Sequence, residues 1–263
     1  LKVSSLPIMG EEKNAQGKIL KAERVPAGSF FLELPDEDKA HFYGDGVVIR
    51  PFMQRFSLRK WQKDGDKGFF IKSMMADNLN IDLKDTNGTF NCGRPAGYIK
   101  DFKSLSEDVQ KQITAIARMR SVFGTVTFNK VINSDGTDSD REFKDVPFIW
   151  EITSATAFKI VGETFKTLSG MKRLPVQHQI SLNTNEMKSP KGNFFVPKLN
   201  INYDQVLTVS EKDQEIFGNF ISWIENFNQY VSTSWDEKTR NKVSEEDMKV
   251  VDEFIEVDDD AEK

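Results

Sequence analysis

The sequence predicts an α+β fold dominated by strands, on three observations. Short runs rich in β-branched and aromatic residues, bounded by turn formers, recur along most of the 263 residues. Two or three segments instead repeat apolar residues at helical spacing, and they do not alternate with the strands in a βαβ pattern. The composition, 38% hydrophobic and 29% charged, is that of a globular chain able to bury a substantial core.

In chain order, Lys18–Val25 and Ser29–Leu34 read as short strands on either side of the turn-forming Pro26-Ala27-Gly28. Gly46 to Trp61 is the longest extended signal, and KDGDKG (Lys63–Gly68) joins it to GFFIKSMMA as a hairpin. Residues 77–100 are rich in Asn, Asp and Gly and read mostly as loop. Ser104 and Glu107 have capping-box spacing, and the helix they open is expected to run to Arg120 with Val109, Ile113, Ile116 and Ala117 on one face. Val122–Ile132 and Val146–Ile152 follow as strands. Ser154 then opens a helix in which Phe158, Val161, Phe165 and Leu168 share a face, ending near Gly170. His178–Thr184 and Asn193–Tyr203 read as a second β pair, and Ile216, Phe220, Trp223 and Phe227 mark a helix beginning at Ser210. The expected total is six to nine strands with two or three helices. The simplest division is one domain over 1–235 and an acidic segment over 236–263, expected to be flexible at its end.

Several classes of function lack their signatures. No apolar run approaches the roughly 18 to 20 residues that span a bilayer, and LKVSSLPIMGEEK does not read as a secretory signal, so cytoplasmic residence is expected. There is no Gly-rich phosphate loop, no GxGxxG after a strand, no GxSxG elbow and no HExxH. The single cysteine, Cys92, lies in FNCGRPAGY, which matches no cysteine-protease signature and reads as a small buried side chain rather than half of a Cys–His dyad. Asp77, Asp82 and Asp85, with Lys84 and Asp101 nearby, are a carboxylate cluster of the kind that binds Mg²⁺ in nucleases. Asp and Asn also cap turns, and DNLNIDLKDTNG has that composition, so the turn-forming role is preferred. Neither catalysis nor a cofactor is expected.

Charge is distributed unevenly. The net charge is −5, yet residues 236–263 hold 12 acidic and 5 basic side chains, a net −7 that leaves the preceding body at about +2. A mildly cationic body with an anionic end is an asymmetry that accompanies nucleic-acid or partner binding, although an acidic tail also serves solubility alone.

Cationic and aromatic side chains recur together in that body. If Gly46–Trp61 is extended, Phe52, Phe56 and Leu58 lie on one face, suited to a core, and Arg55, Arg59 and Trp61 end the other. Arg50 and Lys60 are near the ends of the core-facing set and are expected to reach outward. The combination returns in Phe69-Phe70-Ile71-Lys72, in Arg94 to Tyr98 with Lys100, in Arg118 and Arg120, and in Lys191 to Lys198 with Phe194 and Phe195. Proteins that hold single strands join cationic tracks for phosphates to aromatic faces for bases. The nucleic-acid contacts expected are therefore Arg50, Arg55, Arg59, Lys60, Trp61, Phe70, Lys72, Arg94, Tyr98, Lys100, Arg118, Arg120, Lys191, Phe194 and Lys198.

With body and tail together, the layout resembles the single-stranded-DNA-binding replication proteins of bacteriophages. The resemblance is carried by IRPFMQRFSLRKW, MADNLNIDLKDTNGTFNCGRPAGYI and ARMRSVFGTV, and by the acidic DEFIEVDDDAEK. It implies an OB-like barrel elaborated with helices and long loops, and sequence-tolerant binding of single-stranded DNA in replication or recombination, in the host cytoplasm. It also implies an acidic tail that recruits replication or recombination proteins or competes with DNA for the groove. In bacterial single-strand binders the tail ends in a Pro-Phe tip, whereas this sequence reads Ala261-Glu262-Lys263, so the expected partner contacts are Phe254, Asp258, Asp259 and Asp260; equally, the helical spacing of Val250, Val251 and Phe254 fits a last helical turn in which Phe254 and Ile255 cover the body. No membrane partner is expected, and an oligomer is compatible with this reading. The alternative is a structural or assembly protein of a virion, in which the Phe-rich strands pack against neighbouring subunits; a metal-dependent nuclease ranks third.

Overall fold

The computed structural model describes residues 1–3, 8–13, 19–34, 40–44, 46–65, 67–190 and 192–240. Among them are the strands β1 (Lys2–Val3), β2 (Ile8–Lys13), β3 (Ile19–Val25), β4 (Phe30–Leu34), β5 (Ala40–Tyr43), β6 (Val47–Asp64) and β7 (Lys67–Lys72). Helix α1 (Glu107–Thr114) precedes β8 (Ile116–Phe128), β9 (Ile132–Asn133) and β10 (Val146–Ile152). Helix α2 (Ala155–Gly170), strands β11 (Ile180–Ser189) and β12 (Gly192–Ile201), and helix α3 (Glu211–Arg240) complete the order. The fold is mixed α+β and strand-rich, with three α helices among the described residues and open sheets; the strand order shows no closed barrel. No described helix is long and apolar enough to cross a membrane.

The chain forms two compact units, one of Leu1–Arg55 with Met119–Ile221 and one of Phe56–Arg118 with Ser222–Lys263. Strands β6 and β8 and helix α3 each contribute residues to both.

In the first unit, β10, β8, β6, β11 and β12 lie side by side, and a smaller sheet has the order β1-β4-β5-β9. Strand β8 is buried from Met119 to Val126 because both of its faces are covered. Val122, Val126, Phe148 and Trp150 share a core with Ala157, Val161 and Phe165 of α2 and Phe30 and Phe42 of the smaller sheet. The alternate face carries Phe123, whose ring lies 5.4 Å from that of Phe220 on α3, and Phe52 meets the same ring at 6.1 Å. Phe52 is thus a core anchor, as alternation along β6 suggested. Phe56 is only half-buried.

The helix expected to extend from Ser104 to Arg120 is shorter. Ser106 is the residue preceding α1, while the Ser104 hydroxyl donates to the Asp101 carbonyl. The helix stops at Thr114, and the segment beyond it, with β-branched Ile116, Val122, Thr125 and Val126, enters the sheet, where Arg120 to Val126 pair with Ile152 to Val146. Sheet pairing overrides the helical periodicity of Ile113 and Ile116, and Arg118 and Arg120 become strand residues.

Arg50 bridges β6 to the start of α3. Its guanidinium donates to the Val176 carbonyl at 2.6 Å, the Thr208 carbonyl at 2.9 Å and Asp213 Oδ1 at 2.9 Å. Ser210 and Asp213 cap the helix reciprocally: Asp213 Oδ2 accepts the Ser210 N–H and O–H, both at 2.8 Å, and the Asp213 N–H reaches Ser210 Oγ at 3.2 Å. Burial pushes the Asp213 carboxyl up, but the Ser210 amide and hydroxyl and the Arg50 charge outweigh it and hold the group below its ordinary range. Asp213→Ala should lower the unfolding free energy by about 2 kcal/mol, less than a fully buried broken pair because some water reaches this one. A depressed folded value gives stability that is present above the unfolded value of about 4 and lost as pH falls through the folded one. Urea titrations across that acidic window should show this loss in the parent protein and a flatter dependence in Asp213→Ala.

Candidate nucleic-acid interface

The candidate interface lies in the second unit, where the end of β6 pairs with β7 as a two-stranded ribbon. Its register sets Arg59 opposite Lys72, Trp61 opposite Phe70 and Lys63 opposite Gly68. Directly opposed residues share a face, and positions two apart along a strand share it too. One face therefore collects Arg59, Trp61, Lys63, Phe70 and Lys72. The Trp61 and Phe70 rings meet edge to face with centroids 4.7 Å apart, and the Arg59 guanidinium lies 5.0 Å from the centre of the Phe70 ring. Trp61 is 50% exposed and Phe70 42%, high values for rings of this size. Gly68 makes the bed on which the indole lies: a Cβ there would be 2.1 Å from Trp61 Cζ2. The opposite face carries Lys60, Gln62, Phe69 and the buried Ile71.

A second cationic group lines a pocket of about 170 Å³ in the same unit, formed by Leu58, Leu79, Asn80, Arg94, Pro95, Gly97, Tyr98 and Arg118. Leu58 and Leu79 connect it to the core that also holds Ile71, Cys92 and Ile116. Burial, and then the Arg118 charge, lower the Arg94 pKa from its ordinary value. Tyr98 is 86% exposed, and Lys100 is exposed beyond it. Because Leu58 and Arg59 are adjacent on a strand, the pocket opens on the face of β6 opposite to Trp61.

The loop before Arg94 is held by Asp85. Its Oδ1 accepts the Asn87 and Thr89 N–H groups at 2.9 and 3.1 Å, and its Oδ2 accepts the Thr89 hydroxyl at 2.7 Å and the Cys92 N–H at 2.9 Å. The Asn91 amide spans Asp82 and the Leu83 N–H at 2.7 and 2.9 Å. The carboxylates at 82 and 85 thus organise turns, and among the described residues no three His, Cys, Asp or Glu side chains are grouped to hold a metal ion. Cys92 is buried, its thiol facing the Leu58 and Ile71 carbonyls at 3.5 and 3.7 Å. Burial, then the nearby Asp85 charge, push its pKa up to about 12, the opposite of thiolate activation. Helix α3 braces this loop: Asn228 exchanges two hydrogen bonds with the Met75 backbone at 2.7 and 3.0 Å, and the Trp235 indole donates to the Thr89 carbonyl at 3.1 Å.

The contacts expected from sequence divide accordingly. Arg59, Trp61, Phe70 and Lys72 come together on the ribbon, and Arg94, Tyr98 and Arg118 at the pocket; Lys60 lies on the Leu58 side of β6. Arg50 does not reach outward, because its guanidinium is held by Val176, Thr208 and Asp213. Arg120 is likewise removed from the interface: it is buried, bonded to Gln54 Oε1 and stacked 4.4 Å from the Phe158 ring. Burial lowers its pKa to about 10, so it remains charged at neutral pH. Gly162 makes the necessary space, since a Cβ there would be 2.7 Å from the Arg120 guanidinium. Arg55, which donates to the Gln54 carbonyl at 2.9 Å, and Phe194 are half-buried in the first unit, and Lys198 is exposed there. Lys191, Phe254, Asp258, Asp259 and Asp260 lie outside the described residues. Lys63 and Gly68 were missed by the sequence reading; pairing KDGDKG as a hairpin with a definite register would have found both.

The chain matches no protein-family model, no curated protein and no solved structure. Gly68→Ala should displace the Trp61 indole from the ribbon while leaving the fold intact. The measurement is the Trp61 indole N–H resonance in two-dimensional NMR, which should move in Gly68→Ala while backbone resonances of the first unit stay in place.

Proposed function

We propose that this protein binds single-stranded DNA without strong sequence preference, in bacteriophage replication or recombination and without catalysis. The observation that carries the reading is the exposed Trp61–Phe70 pair flanked by Arg59, Lys63 and Lys72 on one ribbon face. Every base has a π-face, so an aromatic platform holds bases regardless of sequence, and flanking cations follow the phosphates. An OB-like barrel is not required, because a ribbon exposed to solvent offers the same two chemistries without a closed groove. The acidic residues of 236–263 act in this reading as a competitor for the cationic face or as a recruiting segment, and the host cytoplasm is the compartment.

A second reading, an assembly or virion protein, is favoured by a different observation. Leu174, Val176, Val209 and Phe217 line an apolar groove of about 280 Å³ in the first unit, with Leu174 and Phe217 exposed. That reading requires discrete oligomers and indifference to oligonucleotides.

Titration of tryptophan fluorescence with poly-dT at two salt concentrations separates the two. Single-strand binding should quench the indole, and Trp61→Ala should weaken affinity by about tenfold, the worth of one stacked base. Affinity should fall steeply with salt, and the double substitution Arg59→Gln/Lys72→Gln should reduce the logarithmic salt slope by about 1.4, since each single-strand phosphate contact contributes about 0.7. Removal of residues 244–263 should tighten binding at low salt. Affinity that is absent, or that does not respond to salt, would overturn the proposal.

A further inference from the structure

The pocket around Arg94 is built differently from the ribbon and accepts a different piece of a ligand. A flat face such as that of Trp61 and Phe70 supports a base from one side. The pocket is concave, with apolar walls from Leu58, Leu79 and Pro95, an aromatic ring from Tyr98 and two guanidiniums from Arg94 and Arg118. Few polar groups converging in a mostly apolar concavity are the usual makings of a small-ligand site.

Arg94 is the informative residue. It is half-buried, and its guanidinium has no hydrogen bond or ion pair among the described residues, although it carries five N–H donors. Withdrawing a cation from water without an acceptor is unfavourable, and a second guanidinium at the same pocket adds repulsion. No carboxylate is among the lining residues. An anion with several oxygens would relieve both effects, because the planar guanidinium fork matches phosphate in two parallel bonds. The volume, about 170 Å³, encloses a phosphoryl group and part of a small ring, so the rest of a nucleotide would lie at the mouth against the exposed Tyr98.

The geometry points to a nucleoside-phosphate site. We propose that the pocket captures a single nucleotide, its phosphate on Arg94 and its base against Tyr98 and the Leu58–Leu79–Pro95 wall. In its strand-bound form the inference rests on the single-strand reading above; a free mononucleotide is the same chemistry from another source. Leu79 and Gly97 hold the two sides of the site together, with the Gly97 N–H donating to the Leu79 carbonyl at 2.7 Å.

The test titrates the full chain with thymidine 5′-monophosphate, thymidine and inorganic phosphate, following backbone amide shifts by NMR. The monophosphate should bind saturably, with shifts confined to Asn80, Arg94, Gly97, Tyr98 and their neighbours, and at least tenfold more tightly than thymidine or phosphate alone. Arg94→Gln, at a half-buried position, and Tyr98→Ala, at an exposed one, should each weaken it by tenfold or more, whereas Trp61→Ala should leave it unchanged. No saturation, shifts elsewhere, or indifference to Arg94→Gln and Tyr98→Ala would overturn the inference. A second arm uses poly-dT. If Arg94→Gln weakens both ligands, the site takes a nucleotide of the strand. If the monophosphate binds and poly-dT does not, the single-strand reading fails while the pocket stands as a site for free nucleotides.

Discussion

A strand of eighteen residues must satisfy its backbone N–H and C=O groups along its whole length, and the way β6 does so governs what its side chains can do. In the first unit β6 lies between β8 and β11, with helices and a second sheet over its faces. Side chains there are enclosed, and a cation survives only if protein acceptors replace its water, as they do for Arg50. In the second unit its continuation pairs with β7 as a ribbon, and Trp61, Gln62 and Lys63 are exposed. The same twelve residues, Arg50 to Trp61, therefore begin as core and end as surface.

Much of this was legible in the sequence. The β6–β7 hairpin, the β11–β12 pair, the strand at Val146–Ile152 and the helix capped by Ser154 follow from local periodicity and turn chemistry, which act between near neighbours. Alternation also identified Phe52 as a core residue and Trp61 as an exposed one. What escaped was set by distant partners. Nothing near Arg50 announces that its acceptors are Val176, Thr208 and Asp213, and nothing near Arg120 announces the space left by Gly162. The segment from Ile116 carries a helical repeat and a strand-forming composition at once, and pairing with β10 decided between them.

The candidate site was legible as a list of residues but not as a geometry. Arg94 and Arg118 are separated by a helix in sequence and meet at one pocket because the intervening loop takes a defined path. The segment leading into Arg94 also includes two non-glycine residues, Asn91 and Cys92, with φ near +56° and +57°, a conformation that local composition does not reveal. The cationic and aromatic residues consequently separate into a platform and a cavity. Their chemistries differ, although both draw on the same residue types.

The Asp85 cage bears on the thermodynamics of recognition at the cavity. Four donors converge on one carboxylate within an eight-residue span, Asp85 to Cys92, so the segment leading to Arg94 is ordered by its own short-range bonds. A ligand arriving there meets a wall whose conformational entropy was already lost on folding, and it does not have to offset that ordering from its own contacts. Association at such a cavity can therefore proceed without waiting for a slow rearrangement of the backbone, and selectivity resides in the fit of the ligand rather than in the adaptation of the protein.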